Sequence, residues 1–181
     1  MTGTIRPKLT HAGVNCFDIK KMTRFYTEVM GLVETDEGKG ITYPVDFVFL
    51  SSDPANHHQL VLASNRSPEA KVSNINQLSF RVSSMDELRA MWRRVTEFGV
   101  THMRCVSHGI AWSVYFDDPE GNTVEIYLDT PWYVRQPHGD PLDLNRSNED
   151  ILRWTEEICR KDPSFVPVKD FQEKVAQILR A

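Results

Sequence analysis

Apolar residues along this chain fall into a short pattern that occurs twice. Residues 9–15 read as a strand. Asp18 can then cap a helix in which Met22, Phe25, Tyr26 and Val29 recur at helical spacing, and Gly31 supplies the stop. Residues 41–50 and 58–63 read as further strands. The pattern restarts with a strand over 75–82. Ser84 and Glu87 have capping-box spacing before a helical stripe of Leu88, Met91, Trp92, Val95 and Phe98, closed by Gly99. Strands follow over 101–106, 111–116 and 123–128. Each half is a strand, a helix and a run of strands. The expected fold is therefore α+β, built from paired βαβββ modules (8–65 and 73–130) whose mixed sheets curl around one cleft.

After residue 130 the pattern changes. The segment 131–146 is rich in Pro and aromatics and reads as an ordered loop. Ser147 with Asp150 starts a helix with an apolar face of Ile151, Trp154 and Ile158. Asp162-Pro163-Ser164 breaks it, and 170–179 is a second amphipathic helix. This C-terminal extension, 131–181, is expected to wrap the core or a partner subunit, with Pro131-Trp132-Tyr133 covered by something.

Composition narrows the function classes. The net charge of −4, with both signs spread along the chain, argues against nucleic acid as a partner. No apolar run approaches the roughly 18 residues of a membrane helix, and the N-terminus lacks the apolar core of a secretory signal. Cys16, Cys105 and Cys159 make an odd, scattered set with no disulfide framework. A reduced, cytoplasmic protein is expected.

The candidate chemistry sits near a hairpin. Residues 112–116 are aromatic and β-branched, Asp118-Pro119-Glu120-Gly121-Asn122 is turn chemistry, and the strand resumes at Val124. Glu125 lies inside that apolar strand. Carboxylates are rarely buried unless paired or bound to a metal, so Glu125 is a candidate ligand, with an ion pair to Arg81 as its alternative. The repeat adds three more polar positions. Gln77 follows His11 by 66 residues and Glu125 follows His58 by 67, so His11, His58, Gln77 and Glu125 are expected at matching strand places on the floor of the cleft. His57 is expected to face away from His58, as adjacent strand residues do. His102 and His138 receive no role.

The Thr-His-Ala-Gly-Val segment at the start and Phe-Asp-Asp-Pro-Glu-Gly-Asn-Thr-Val-Glu-Ile near the end resemble the vicinal oxygen chelate superfamily, which includes glyoxalases, bleomycin-resistance proteins and type I extradiol catechol dioxygenases. The resemblance covers residues 8–130 and is finest to the extradiol dioxygenases. It implies metal ligation by His11 and Glu125. The family's second metal His falls at Gln77, in Gln77-Leu78-Ser79-Phe80, so an amide oxygen replaces imidazole there, as a weak ligand or as a hydrogen-bonding neighbour. It implies an acid-base role for His58 and substrate contacts for His108, in His108-Gly109, and for Tyr115.

Two His and a carboxylate on one face of Fe(II) leave open positions for O₂ and a chelating diol. The function expected from the resemblance is extradiol cleavage of a catechol-type diol, with Fe(II) as metal and Mn(II), Zn(II) or Ni(II) as other occupants. The alternatives are a glyoxalase-like lyase or isomerase that uses its metal without redox change, and a metal-free small-molecule binding protein. The expected partners are an aromatic substrate, O₂ and further copies of the chain in a homodimer or larger homo-oligomer.

Overall fold

The computed structural model describes residues 5–180. They form two compact units, one reaching from the N-terminal residues to Asn74 together with Asp118–Gly121, the other made of Ile75–Asp117 and the chain from Asn122 onward. Among the described residues no helix is long and apolar enough to cross a membrane.

Unit one runs β1 (Ala12–Asn15), α1 (Ile19–Glu28), β2 (Val33–Lys39), β3 (Asp46–Ser51) and β4 (Leu60–Ala63). Its sheet has the order β1-β4-β3-β2, with β1 parallel to β4 and the other pairs antiparallel. Asp18 caps α1 by accepting from the Lys21 N–H at 3.0 Å, and Gly31 takes a positive φ of 75° just past the helix. The helix buries Met22, Phe25 and Tyr26 over Val48, Leu50, Leu60 and Leu62.

Unit two repeats the plan with β5 (Leu78–Arg81), α2 (Met85–Glu97), β6 (Arg104–Ser107), β7 (Ala111–Asp117) and β8 (Thr123–Asp129). The order is β5-β8-β7-β6, again with the first and last strands parallel. Ser84 caps α2 by accepting from the Glu87 N–H at 3.1 Å, while Glu87 reaches back to the Ser83 N–H at 2.7 Å.

The extension belongs to unit two. It contributes β9 (Trp132–Tyr133), β10 (Asp140–Pro141), α3 (Asn148–Cys159), β11 (Val166–Pro167) and α4 (Val168–Arg180). β10 adds to β6, and β9 pairs with β11. Trp132 is buried edge-on to Trp112 at 6.3 Å, and Tyr133 stacks on Phe171 at 4.0 Å. Ser147 caps α3 as expected. The face α3 buries is Ile151, Thr155 and Cys159, while Trp154 and Ile158 stay half-buried. Thr155 is drawn inward because its hydroxyl accepts the Trp112 indole N–H at 2.9 Å.

The local strand readings need correction. β2 carries no hydrophobic rhythm, since all seven residues of Val-Glu-Thr-Asp-Glu-Gly-Lys are exposed; pairing with β3 makes it a strand. The strand expected over 41–50 begins at Asp46, because residues 40–45 turn, closed by Gly40 N–H to the Val45 carbonyl at 2.9 Å. The strand expected from His58 begins at Leu60, and the one expected from Leu9 begins at Ala12. The strand register also revises the matching of the modules. Ala12 pairs with Leu60 and Leu78 with Val124, so the counterpart of Glu125 is Val61 and that of His58 is Asn122. The matching of His11 with Gln77 stands, each being the residue just before its strand.

The Asp-Pro-Glu-Gly-Asn turn has a structural task within unit one. Asp118, 5% exposed, accepts the Tyr26 hydroxyl at 3.0 Å. Burial first, then Asp118, pushes the Tyr26 phenol far above its ordinary range. Glu120 accepts the Phe17 and Asp18 N–H groups at 2.9 and 2.7 Å and pairs with Arg66 at 3.4 Å. Those N–H groups lead into α1, where a carboxylate suits the helix dipole. Gly121, at φ 78°, closes the turn with its N–H on the Asp118 carbonyl.

Candidate functional site

In unit two, strand pairing sets three distant residues in a row. Ser79 on β5 lies beside Glu125 on β8, and Glu125 lies opposite Tyr115 on β7. Gln77, two residues before Ser79, falls on the same side. Glu125 is 7% exposed. Its Oε2 accepts from Ser79 Oγ at 2.5 Å and from Gln77 Nε2 at 2.7 Å, and its Oε1 accepts from the Tyr115 hydroxyl at 2.5 Å. His108, on the turn before β7, places Nε2 2.8 Å from the Tyr115 oxygen and Nδ1 2.8 Å from the His138 carbonyl. A carbonyl only accepts, so the assigned tautomer of His108 carries its proton on Nδ1. The single Tyr115 proton then has two acceptors in reach. Burial first, then the bond to Glu125 and its charge, pushes the Tyr115 phenol up to about 12.

These groups line an open cavity of about 490 Å³, walled by Ser79, His108, Ile110, Tyr115, Glu125 and Gln136 among others. Among the described residues no Lys, Arg or His forms an ion pair with Glu125. The expected alternative partner, Arg81, pairs instead with Asp129 at 3.4 Å on the surface. Glu125 is thus a buried carboxylate held by three neutral donors.

In unit one, His11 is exposed just before β1 and His58 is half-buried two residues before β4. Their rings meet at 4.5 Å between centroids. His57 does not turn away from His58: the two Nδ1 atoms are 2.9 Å apart, and Phe49 lies 5.8 and 5.2 Å from the two rings. Strand alternation does not apply, because both residues precede β4. One of the two nitrogens must donate to the other. Burial, then His11 and His57, lowers the His58 pKa below its ordinary value, which favours the neutral imidazole.

The sheets, the parallel strand pair in each module and the buried carboxylate are the setting for the comparisons with known proteins. The family model described as "Glyoxalase/Bleomycin resistance protein/Dioxygenase superfamily" matches residues 8–126. The chain belongs to that superfamily. It is similar to biphenyl-2,3-diol 1,2-dioxygenase 3 of Rhodococcus globerulus, 25% identical over 131 residues, which are 70% of this chain and 65% of the enzyme. The chain therefore spans about two thirds of that relative's length. Among solved structures it resembles a glyoxylase/bleomycin resistance protein/dioxygenase domain from Frankia sp. EAN1pec, with a TM-score of 0.58 and 21% identity over 70% of this chain and all of that one. It also resembles a mutant of the fosfomycin resistance protein FosX from Listeria monocytogenes, complexed with Mn(II), at a TM-score of 0.55 and 19% identity over 70% of this chain and 95% of that one.

The superfamily raises the question of a metal. Among the described residues no three His, Cys, Asp or Glu side chains gather as a metal-holding group, and the expected set of His11, Gln77 and Glu125 contains only two residues of those types. The donor chemistry around Glu125 nevertheless fits a divalent cation. A buried carboxylate facing a cavity without a cationic partner is a favourable position for one. Gln77 presents Nε2 to Glu125, with Oε1 3.5 Å from the Asn76 amide. Two oxygens at 2.7 Å would repel, so the amide turns its N–H inward; a cation between them would reverse that preference.

Sequence reasoning missed Ser79, Gln136 and the His138 carbonyl. Ser79 was within reach, because it follows Gln77 at the strand period of two. The other two had no sequence signal, since a backbone carbonyl has no residue type and Gln136 lies in a loop.

Proposed function

We propose that this protein is a divalent-metal-dependent extradiol dioxygenase acting on a catechol-type diol. The observation that carries the reading is Glu125: a buried carboxylate that pairs with no Lys, Arg or His among the described residues, beside a cavity that also holds His108 and Tyr115. The similarity to a biphenyl-diol dioxygenase supports it. Glu125 and Gln77 are the proposed donors from unit two, and the sequence resemblance adds His11. When bound, the metal, Fe(II) in this reading, supplies a Lewis acid for the two diol oxygens and a partner for O₂.

The chain's own groups have distinct tasks. Tyr115, whose phenol is pushed up to about 12, donates its hydroxyl to Glu125 and steadies the carboxylate beside the cavity. His108, held as the Nδ1–H tautomer, offers Nε2 as an acceptor for a hydroxyl proton. The resemblance gives His58 the role of proton carrier, and its lowered pKa keeps the imidazole neutral and able to accept. Ser79 orients the Glu125 carboxylate.

Gln77 favours a second reading. An amide in place of imidazole gives a harder, oxygen-richer donor set, which suits a non-redox metal and a glyoxalase-like lyase or isomerase. One experiment separates the two. The protein is purified without oxygen, loaded with Fe(II), Mn(II), Zn(II) or Ni(II), and assayed for O₂ uptake with a panel of catechols. Consumption of one O₂ per diol with a yellow ring-opened product is the expected result. Metal binding without O₂ uptake on any diol favours the second reading.

A further inference from the structure

The turn bearing His108 is gripped by residues that lie beyond the superfamily match, which ends at residue 126. Thr130 donates its hydroxyl to the Gly109 carbonyl at 2.7 Å and its N–H to the Ile110 carbonyl at 3.0 Å. Gln136 Nε2 donates to the His108 carbonyl at 2.8 Å, and Gln136 Oε1 accepts the His138 N–H at 3.3 Å. The His138 carbonyl in turn faces His108 Nδ1 at 2.8 Å. Gln136 thus ties the backbone of His108 to the segment that holds its ring.

Packing closes the same grip. Gly109 has φ 71°, and a Cβ there would run into Val134 and approach Cys159 Sγ and His138 Cδ2 at 3.2 Å. Only glycine lets the turn seat so closely against the extension. Ile110 of this turn, and Gln136 itself, line the cavity with His108, Tyr115 and Glu125.

We propose that the C-terminal extension is the positioning element for His108: Gln136 and the His138 carbonyl hold its ring as the Nδ1–H tautomer, with Nε2 turned to Tyr115 and the cavity. A histidine's tautomer is set by the bond its other nitrogen makes. Here that bond comes from outside the βαβββ module. With the carbonyl in place, Nε2 is an acceptor and shares the single Tyr115 hydroxyl proton with Glu125 Oε1. With the carbonyl withdrawn, a proton on Nε2 removes that acceptor. Gln136 and His138 are positioning residues, because they act through His108. The proposal rests on the reading above for the service His108 performs, and on the hydrogen bonds alone for how it is held.

The test is a two-bond ¹H–¹⁵N correlation spectrum of full-length protein labelled on histidine nitrogens, with the His108 signal assigned from a His108→Gln variant. The wild-type ring is expected to show a protonated Nδ1. Gln136→Glu keeps the shape and removes the donor, and should cost His108 its single Nδ1–H form while leaving the His11, His57 and His58 signals in place. Gln136→Ala should do the same. If either variant turns over a catechol, kcat should fall roughly 10- to 100-fold with KM little changed, the size of losing an outer-shell partner of a functional His. A wild-type His108 protonated on Nε2 alone, or a Gln136→Glu protein that keeps the wild-type tautomer, overturns the proposal. Absence of turnover on every diol would count against the dioxygenase reading alone, since the tautomer is read without substrate.

Discussion

The two modules share one strand order and part ways at two places. Beside the parallel strand pair, unit one has Gly13 next to Val61, whereas unit two has Ser79 next to Glu125. At the far strand, β2 of unit one is a fully exposed edge, whereas β6 of unit two is covered by β10. β2 protects itself with Glu34, Asp36, Glu37 and Lys39, a charged edge that resists pairing with another chain. β6 has no such charge run, and the extension takes over the task. The same topology therefore supports an open, charged sheet in one unit and a buried carboxylate in a polar row in the other. What differs is the residues beside the parallel pair and the chain added after the second repeat.

Removing the carboxylate should give the largest effect. Glu125→Ala is expected to abolish stoichiometric binding of Mn(II) or Fe(II), measured calorimetrically without oxygen, a loss greater than the roughly 10- to 100-fold of an outer-shell change. Val61→Ala, at the matching place in unit one, should leave the affinity unchanged. A Glu125→Ala protein that keeps a full equivalent at native affinity would remove the proposed metal donor.

His58→Phe tests the histidine cluster of unit one. Metal content should persist while catechol turnover falls by roughly 10²- to 10⁴-fold, as for a lost general acid-base. Equal turnover would take the proton-carrier role from His58.

Truncation after Asp129 strips β6 of its cover and Trp112 of its partners Thr155 and Trp132. The loss of one buried Trp alone is worth roughly 3–5 kcal/mol, so an aggregating or unstable product is expected in thermal unfolding and gel filtration. A soluble truncate with native unfolding behaviour would show that the extension is dispensable for unit two.

Gln77→His should sharpen the metal reading with a smaller change. Fe(II) is expected to bind roughly tenfold tighter, in line with the preference of imidazole over a neutral amide oxygen for this metal. Unchanged affinity would leave Gln77 as a hydrogen-bonding neighbour of Glu125 and no more.

Tyr115 gives the finest probe. Its phenol is raised from about 10 to about 12, so the folded state holds this proton where the unfolded chain has lost it. The resulting stability is present in full below about pH 10 and is lost as pH rises toward 12. Ultraviolet difference titration of the parent against Tyr115→Phe should place the Tyr115 ionisation near 12. An ionisation near the ordinary value of about 10 would mean that neither burial nor Glu125 acts on it.

The amino-acid sequence by itself determined the repeat, the helices and their caps. Asp18, Ser84 and Ser147 each cap the helix expected after them, because capping depends on residues within a few positions of one another. The oddity of Glu125 was legible too, since a carboxylate in an apolar strand is anomalous wherever the strand lies. Tertiary structure alone decided the rest. β2 became a strand by pairing, since its own residues carry no strand signal. The matching of His58 with Glu125 failed because register is set by hydrogen bonds between strands and not by counting along the chain. The Asp118 carboxylate serves Tyr26 inside α1 and the Glu120 carboxylate the N–H groups that open it, each about a hundred positions away, and the grip on His108 comes from a loop glutamine and a backbone carbonyl. Contacts of that kind have no periodicity to read, because folding, and not spacing, brings the atoms together.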